Sequence, residues 1–150
     1  MQYLSKMFVV GIVALVPDAL RAQAVGECDW RAAASAIAEP WERTSRTFAK
    51  GAIRLAVLDV IEPAAAAFHL LVLSPPYDEV GGRQCRVVSL DAQMGFAGLT
   101  LDGAEAGYDP ARGLTVRMRA TRWFPGDLYG DAVLSVTINQ ASGVVTAGLE

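Results

Sequence analysis

The sequence predicts a mainly β fold, an antiparallel meander of six to seven strands that curls into a barrel-like sheet and carries a short N-terminal helix and one disulfide. Three observations support this prediction. Apolar and β-branched runs recur from residue 52 onward, turn-forming residues separate them, and no helical pattern lies between them. Because βαβ architectures need a helix between strands, the sequence excludes them and favours pairing of neighbouring strands.

Residues 1–24 have the three parts of a secretory signal peptide. Lys6 precedes an apolar run at 7–16, and Ala22 and Ala24 supply small residues before the expected cleavage point. Signal peptidases require small residues at these positions, and translocation requires an apolar centre of this length. The pattern therefore predicts export and removal of the first 24 residues.

Three other interpretations of the N-terminus are weaker. The apolar run is too short for a membrane anchor, which needs about 20 residues, and a buried helix of the fold is the second alternative. Lipidation at Cys28 is disfavoured because Glu27 stands where the processing enzyme requires a small residue. We therefore expect residues 25–150 to form one domain, periplasmic or secreted, with no membrane span after cleavage.

The charge balance excludes one class of partner. The chain has 13 basic and 16 acidic residues and a net charge of −3. An acidic chain does not attract a phosphate backbone, so no nucleic-acid partner is expected.

The cysteine content predicts a single disulfide. Cys28 and Cys85 are the two cysteines of the chain, and an exported pair normally oxidises. Closing this loop contributes about 4 kcal/mol in the loop-entropy picture. Two free buried thiols are the alternative. A redox or zinc site is disfavoured because the chain has no Cys-x-x-Cys and one histidine, His69, so no metal or cofactor is expected.

The order of elements follows from local patterns. Asp29 is a suitable cap for a short alanine-rich helix over 30–38, which Pro40 ends. A helix through 52–61 competes with the first predicted strand, since its residues tolerate both states. The predicted strands are 52–60, 68–73, 84–90, 96–101, 114–123, 132–139 and 144–147.

The connections indicate how these strands pair. The first two runs are expected hairpin partners, and the last two pair across residues 140–143. The apolar face of the sheet needs a cover, which a barrel, a second sheet or the N-terminal helix would supply. Because no long crossover connection is evident, we favour the curled or barrel-like meander over a sandwich.

Segment 114–123 shows the clearest alternation. One face is apolar, and the other carries Arg117, Arg119 and Trp123. Arginine stacks on tryptophan and grips carboxylates at two points, so these three residues are candidates for binding an anionic ligand or partner. The alternative is an ordinary solvated sheet face.

Loop 74–82 is the strongest break in the chain. It contains Tyr77, Asp78 and Glu79 beside two glycines. Loops on a rigid sheet often carry binding residues, and two adjacent carboxylates suit a cationic ligand. The alternative is a solvated turn, in which acidic residues are common.

No catalytic constellation is evident from the residues. The serines lack a nucleophile-elbow context, and Asp127 and Asp131 lack calcium-loop spacing. The sequence therefore favours a non-enzymatic binding or protein-interaction module. Its partner would be a small apolar ligand inside a closed sheet, or a protein that adds a strand to an open edge. The alternative is a hydrolase that uses His69 with a carboxylate.

Overall fold

Two antiparallel sheets make up the structure, and neither closes into a barrel. The structure is a computed structural model that describes residues 23–150, so the predicted signal peptide lies outside the described residues except for its last two positions. Within that range the strands are β1 (Ala24–Glu27), β2 (Ser45–Phe48), β3 (Ile53–Asp59), β4 (Phe68–Tyr77), β5 (Arg83–Ser89), β6 (Gly98–Asp109), β7 (Gly113–Phe124), β8 (Leu128–Ile138) and β9 (Val145–Leu149).

All pairings are antiparallel, and they join neighbours in sequence except for that of β1 with β5. The first sheet has the order β1-β5-β4-β3-β2 and the second the order β6-β7-β8-β9. The predicted hairpins of β3 with β4 and of β8 with β9 are both present. The prediction of six to seven strands is wrong, because β1 and β2 are four-residue strands whose sequences have too few positions to show alternation.

The barrel-like meander is also wrong, because the inner faces of the two sheets pack against each other. One buried core draws apolar side chains from both sheets, including Leu55 and Leu70 from the first and Val116 and Val136 from the second. All four are fully buried. The chain passes from one sheet to the other at residues 90–97, where Phe96 forms a bridge with Phe68.

The first sheet is apolar on its outer face as well. Ala56, Leu58, Leu71 and Val87 form a second buried cluster there. Residues 28–38, which we name the N-terminal cover, lie over this cluster and contribute the partly buried Ala32, Ala36 and Ile37. Apolar residues on both faces of a strand require a cover on both sides, and the cover supplies the outer one.

The predicted helix over 30–38 is replaced by two single turns. These are 3-10 turns at Trp30–Ala32 and Ala34–Ala36, and the one α-helix in the described residues is the four-residue α1 (Trp41–Thr44). A helix this short is marginal on its own, and the cover instead follows the sheet through the hydrogen bond from Ala38 N–H to Val57 C=O. The predicted cap is present, since Asp29 accepts from the Arg31 N–H.

The predicted disulfide is confirmed. Cys28 and Cys85 are bonded, with their Cα atoms 5.4 Å apart. The bond joins the start of the N-terminal cover to β5. A disulfide is compatible with an exported protein. Within residues 23–150, no helix has the length and hydropathy needed to cross a bilayer.

Candidate functional site

The outer face of the four-stranded sheet is polar and carries no covering segment among the described residues. Alternation along β7 buries Val116, Met118 and Ala120 in the core. Arg117 and Arg119 therefore lie on the outer face and are exposed. The sequence-predicted division of this strand into a buried and a solvated face is confirmed.

A groove runs across this outer face at the end near the β7–β8 turn. We name it the outer groove; its volume is about 640 Å³. Residues of the three adjacent strands β6, β7 and β8 form it, together with Glu150. Its lining includes Thr100, Arg119, Thr121, Asp131, Val133 and Glu150.

A bulge in β6 shapes a second hollow beside the outer groove. The β6–β7 register shifts between Thr100 and Glu105, and the hollow, of about 260 Å³, includes Gly103 and Arg119 in its lining. Arg46 donates from Nη1 to the carbonyls of Leu101 and Ala104 at 3.1 Å each. The guanidinium of Arg46, in β2, therefore binds both ends of the bulge.

The same bulge is held by a second arginine. Arg43 binds the carboxylate of Asp102 through Nε and Nη2. These hydrogen bonds, aided by the arginine charge, lower the pKa of Asp102 from its ordinary value. Asp102 is therefore committed to Arg43 rather than to the outer groove.

The two candidate arginines differ in what they contact. Arg117 pairs with Glu150 at 2.6 Å between Nη2 and Oε2. Arg119 makes no side-chain hydrogen bond or ion pair with any described residue, although it lines both hollows. The structure thus places Arg117 and Arg119 together and leaves one guanidinium for an external acceptor.

Trp123 lies further along the same strand. It pairs in register with Tyr129 of β8, and alternation puts both on the face of Arg119. Tyr129 is 58% exposed. Tyr129 and Asp131 are not among the predicted binding residues, because the predicted strand begins at residue 132 whereas β8 begins at Leu128. Continuing the alternation of β8 back to the turn would have identified them.

The candidate residues of loop 74–82 lie in a different part of the molecule. Asp78 Oδ1 accepts from the N–H groups of Val80 at 3.0 Å and Gly82 at 2.6 Å. Arg83 lies over the ring of Tyr77, 5.9 Å from its centroid. The predicted loop is shorter in the structure, because β4 extends to Tyr77. Tyr77 is therefore engaged by Arg83 of β5 and Asp78 by the turn that follows β4, whereas Glu79 is exposed. A ligand role for Tyr77, Asp78 and Glu79 stays a prediction.

His69 is buried beneath the N-terminal cover. Its Nδ1 lies 2.8 Å from Ser89 Oγ, and Arg31 Nη1 donates to the same oxygen at 3.0 Å. Arg31 in turn binds both carboxylate oxygens of Asp29. Because the guanidinium is always a donor, the Ser89 hydroxyl is free to donate to Nδ1. The histidine then carries its proton on Nε2.

Burial keeps His69 neutral. Desolvation, aided by the nearby Arg31 charge, lowers the pKa of His69 from 6.5 to about 4. A hollow of about 170 Å³ reaches His69 between Trp30 and Glu62. Ser89, however, is 1% exposed, so a substrate does not reach its hydroxyl. The network of Asp29, Arg31, Ser89 and His69 fastens the cover to β4 and β5.

Within residues 23–150, no three histidine, cysteine or acidic side chains are grouped to hold a metal ion. Comparison with family models, curated proteins and solved structures gives no match for this chain.

Proposed function

We propose that this chain is an exported, non-enzymatic binding module whose ligand occupies the outer groove of the four-stranded sheet. One observation carries the proposal: three polar side chains of the outer groove are not used by the fold, whereas Thr100 and Glu150 are engaged by Asp102 N–H and Arg117. Arg119, Thr121 and Asp131 make no side-chain hydrogen bond with a described residue, yet they share one concave surface. Convergent polar groups in a hollow of this size are typical of a ligand site.

The composition of the core also supports binding at the surface. The inner faces of the two sheets pack against each other, and the core residues between them are at most 9% exposed. An apolar ligand inside a closed sheet therefore has less support than a polar ligand outside. Export is supported by the signal-like N-terminus and the disulfide between Cys28 and Cys85.

Amide chemical-shift mapping of the exported, oxidised protein tests this proposal. The probes are neutral trisaccharides, acidic and basic dipeptides, and an apolar naphthalene dye. We expect at least one class to shift the amides of Thr100, Arg119 and Asp131 in a saturable way. Shifts confined to other surfaces, or none with any class, would contradict the proposal.

A second candidate, a protein-interaction role, has one observation in its favour. Residues 105–109 of β6, which we name the open edge, pair with β7 and with no other described strand. Elsewhere the edge strands are short, with four residues each in β1 and β2 and five in β9. An unprotected edge of this kind receives added strands.

The ladder pattern identifies Ala106 as the residue to test. Val133 and Glu150 exchange both of their backbone hydrogen bonds. Along an antiparallel strand, the backbone groups of successive residues point alternately to the strands on either side. Val133 points to β9, so Val136 points to β7 and bonds to its register partner Val116. Val116 therefore points to β8 and does not bond to Ala106 of β6. The N–H and C=O of Ala106 therefore point away from the sheet, where an added strand would bind them.

Photo-crosslinking in producing cells tests this second role. With a benzophenone residue at Tyr108, we expect one adduct of defined mass, and Ala106→Pro should abolish it because proline removes the outward N–H. A probe at Trp41, which is 56% exposed, is the matched control. An adduct that survives Ala106→Pro contradicts strand addition, and an adduct of doubled mass identifies a second copy of the chain.

The alternative of a hydrolase that uses His69 with a carboxylate would depend on the contact of His69 with Ser89, because the nearby carboxylate of Asp29 binds Arg31. It has less support because Arg31 donates to the same hydroxyl and the serine is buried. We expect the protein not to hydrolyse p-nitrophenyl esters. Hydrolysis that disappears in both Ser89→Ala and His69→Ala would restore the alternative.

A further inference from the structure

The outer face of the four-stranded sheet has an internally paired half and an unpaired half. In the paired half, Thr115 and Thr137 hydrogen bond through their hydroxyls at 2.8 Å, and Arg117 binds Glu150. In the other half, Arg119 and Asp131 face the outer groove and make no side-chain contact of this kind with a described residue. The unpaired half therefore offers its polar groups to a ligand.

The charges of this half balance each other. Arg119 contributes one positive charge and Asp131 one negative charge, while the Glu150 carboxylate is already offset by Arg117. A ligand with a strong net charge would be attracted by one of Arg119 and Asp131 and repelled by the other. The groove is thus best matched by a neutral ligand.

The groove presents both kinds of hydrogen-bonding group. A guanidinium only donates, a carboxylate only accepts, and the hydroxyl of Thr121 does both. A ligand that satisfies all three must carry several groups that donate and accept. Sugar hydroxyls have this property, and each hydrogen bond to a charged side chain is stronger than one between neutral groups.

An aromatic surface adjoins these polar groups. Tyr129 is two residues from Asp131 on the same strand face, and its register partner Trp123 is two residues from Thr121. The face of an aromatic ring carries partial negative charge, which attracts the C–H groups on one side of a pyranose ring. Tyr129 does not line the groove itself, but it is exposed and lies one position beyond Asp131 on this face of β8.

From this juxtaposition we infer that the outer groove binds a neutral glycan, with a sugar ring against Tyr129 and its hydroxyls bonded to Arg119, Thr121 and Asp131. The inference rests on the proposed function and specifies its ligand class. The volume of about 640 Å³ lies within the range of small-molecule sites. The groove crosses three strands, so a chain of sugar rings would lie across the sheet rather than along one strand.

Titration with defined neutral trisaccharides tests this inference. The probes are cellotriose, maltotriose, mannotriose and triacetylchitotriose, added to the exported, oxidised protein and followed by amide shifts and tryptophan fluorescence. We expect at least one probe to bind, and Asp131→Ala or Arg119→Ala to weaken its binding by about tenfold. Tyr129→Ala should weaken it by a similar factor.

Matched variants separate this site from general effects. Tyr108→Ala removes a tyrosine that is 69% exposed on β6, and Arg112→Ala removes an exposed arginine near the β6–β7 turn. Both should leave the affinity unchanged. Amide shifts in the unmodified protein locate the site without any substitution, so the outcome does not depend on the variants folding.

The other outcomes distinguish the inference from the proposed function. If dipeptides shift the amides of Arg119 and Asp131 while no trisaccharide does, the glycan inference is overturned and the binding module stands. If no probe of any class shifts them, both are overturned. If a trisaccharide binds with equal affinity to Tyr129→Ala and Asp131→Ala, the glycan site lies elsewhere and the inference fails.

Discussion

The five-stranded sheet carries apolar side chains on both of its faces, whereas the four-stranded sheet carries them mainly on one. On the first sheet, Leu58 and Val87 point outward and are buried by the N-terminal cover. On the second sheet, the outward positions are held by residues such as Arg119 and Asp131, which remain at the surface. The two outer faces thus have opposite chemistry within one two-layer fold.

This difference separates a face that is covered for stability from the face to which we assign the proposed ligand site. Covering outward apolar residues stabilises the fold. On the first sheet, residues 28–38 cover them and a disulfide fastens this segment. Polar groups gain little from burial unless they are fully paired. The bare face therefore needs no cover for stability, and its unpaired groups are available for a ligand.

Opening the disulfide releases the N-terminal cover from β5 and should have the largest destabilising effect. Replacing Cys28 and Cys85 by serine removes a closure of 57 residues, which should lower the free energy of unfolding by about 4 kcal/mol. Urea unfolding monitored by tryptophan fluorescence gives this value. A loss below about 1 kcal/mol would mean that the cover is held by its other contacts, and the disulfide would be dispensable.

Acid should loosen the N-terminal cover, and we expect this to be the second-largest effect. The unfolded chain protonates His69 near pH 6.5, whereas the folded chain does so only near its pKa of about 4. Between these values the unfolded state binds the extra proton, so stability falls as the pH decreases from 6.5 to 4 and then levels off for this group. The expected loss is about 3 kcal/mol, at 1.36 kcal/mol for each pH unit.

Urea unfolding of the native protein and of His69→Gln across this pH window measures the effect. The variant should show a flatter dependence between pH 6.5 and 4. The pKa values of the carboxyl groups of Asp29, Asp102 and Asp109 are lowered from 3.8, so most of their contribution is lost below pH 4, and the part lost between about pH 5 and 4 is common to both proteins. Equal slopes in both proteins would show that His69 is not buried in its neutral form.

The elements that the sequence predicted are those with a strong local pattern. The long strand β7 was located with its two faces correctly divided, because its alternation extends over 12 residues. The disulfide was predicted by elimination, since two cysteines allow one pairing. By contrast, β1 and β2 have four residues each and are defined by their partners rather than by their own sequence.

The two-layer arrangement and the pairing on the outer face depend on long-range contacts. Nothing in β7 itself distinguishes Arg117 from Arg119, because the difference is made by Glu150, 33 residues away in sequence. In the same way, the apolar run around His69 does not show whether this side chain is buried or at the surface. Its burial depends on Arg31 and Ser89, which approach it from the cover and from β5.

Substitutions on the outer face of the four-stranded sheet should change the free energy of unfolding least. Replacing Arg119 and Asp131 together by alanine removes no side-chain hydrogen bond within the described residues, so the free energy of unfolding should change by about 0.5 kcal/mol or less. Leu58→Ala, at an outward position of the other sheet, removes a fully buried side chain and should cost about 2–5 kcal/mol. Urea unfolding of both variants at neutral pH provides the two values. If the double substitution costs as much as Leu58→Ala, Arg119 and Asp131 contribute to folding rather than to binding, because an unengaged surface pair has no stabilising contact to lose.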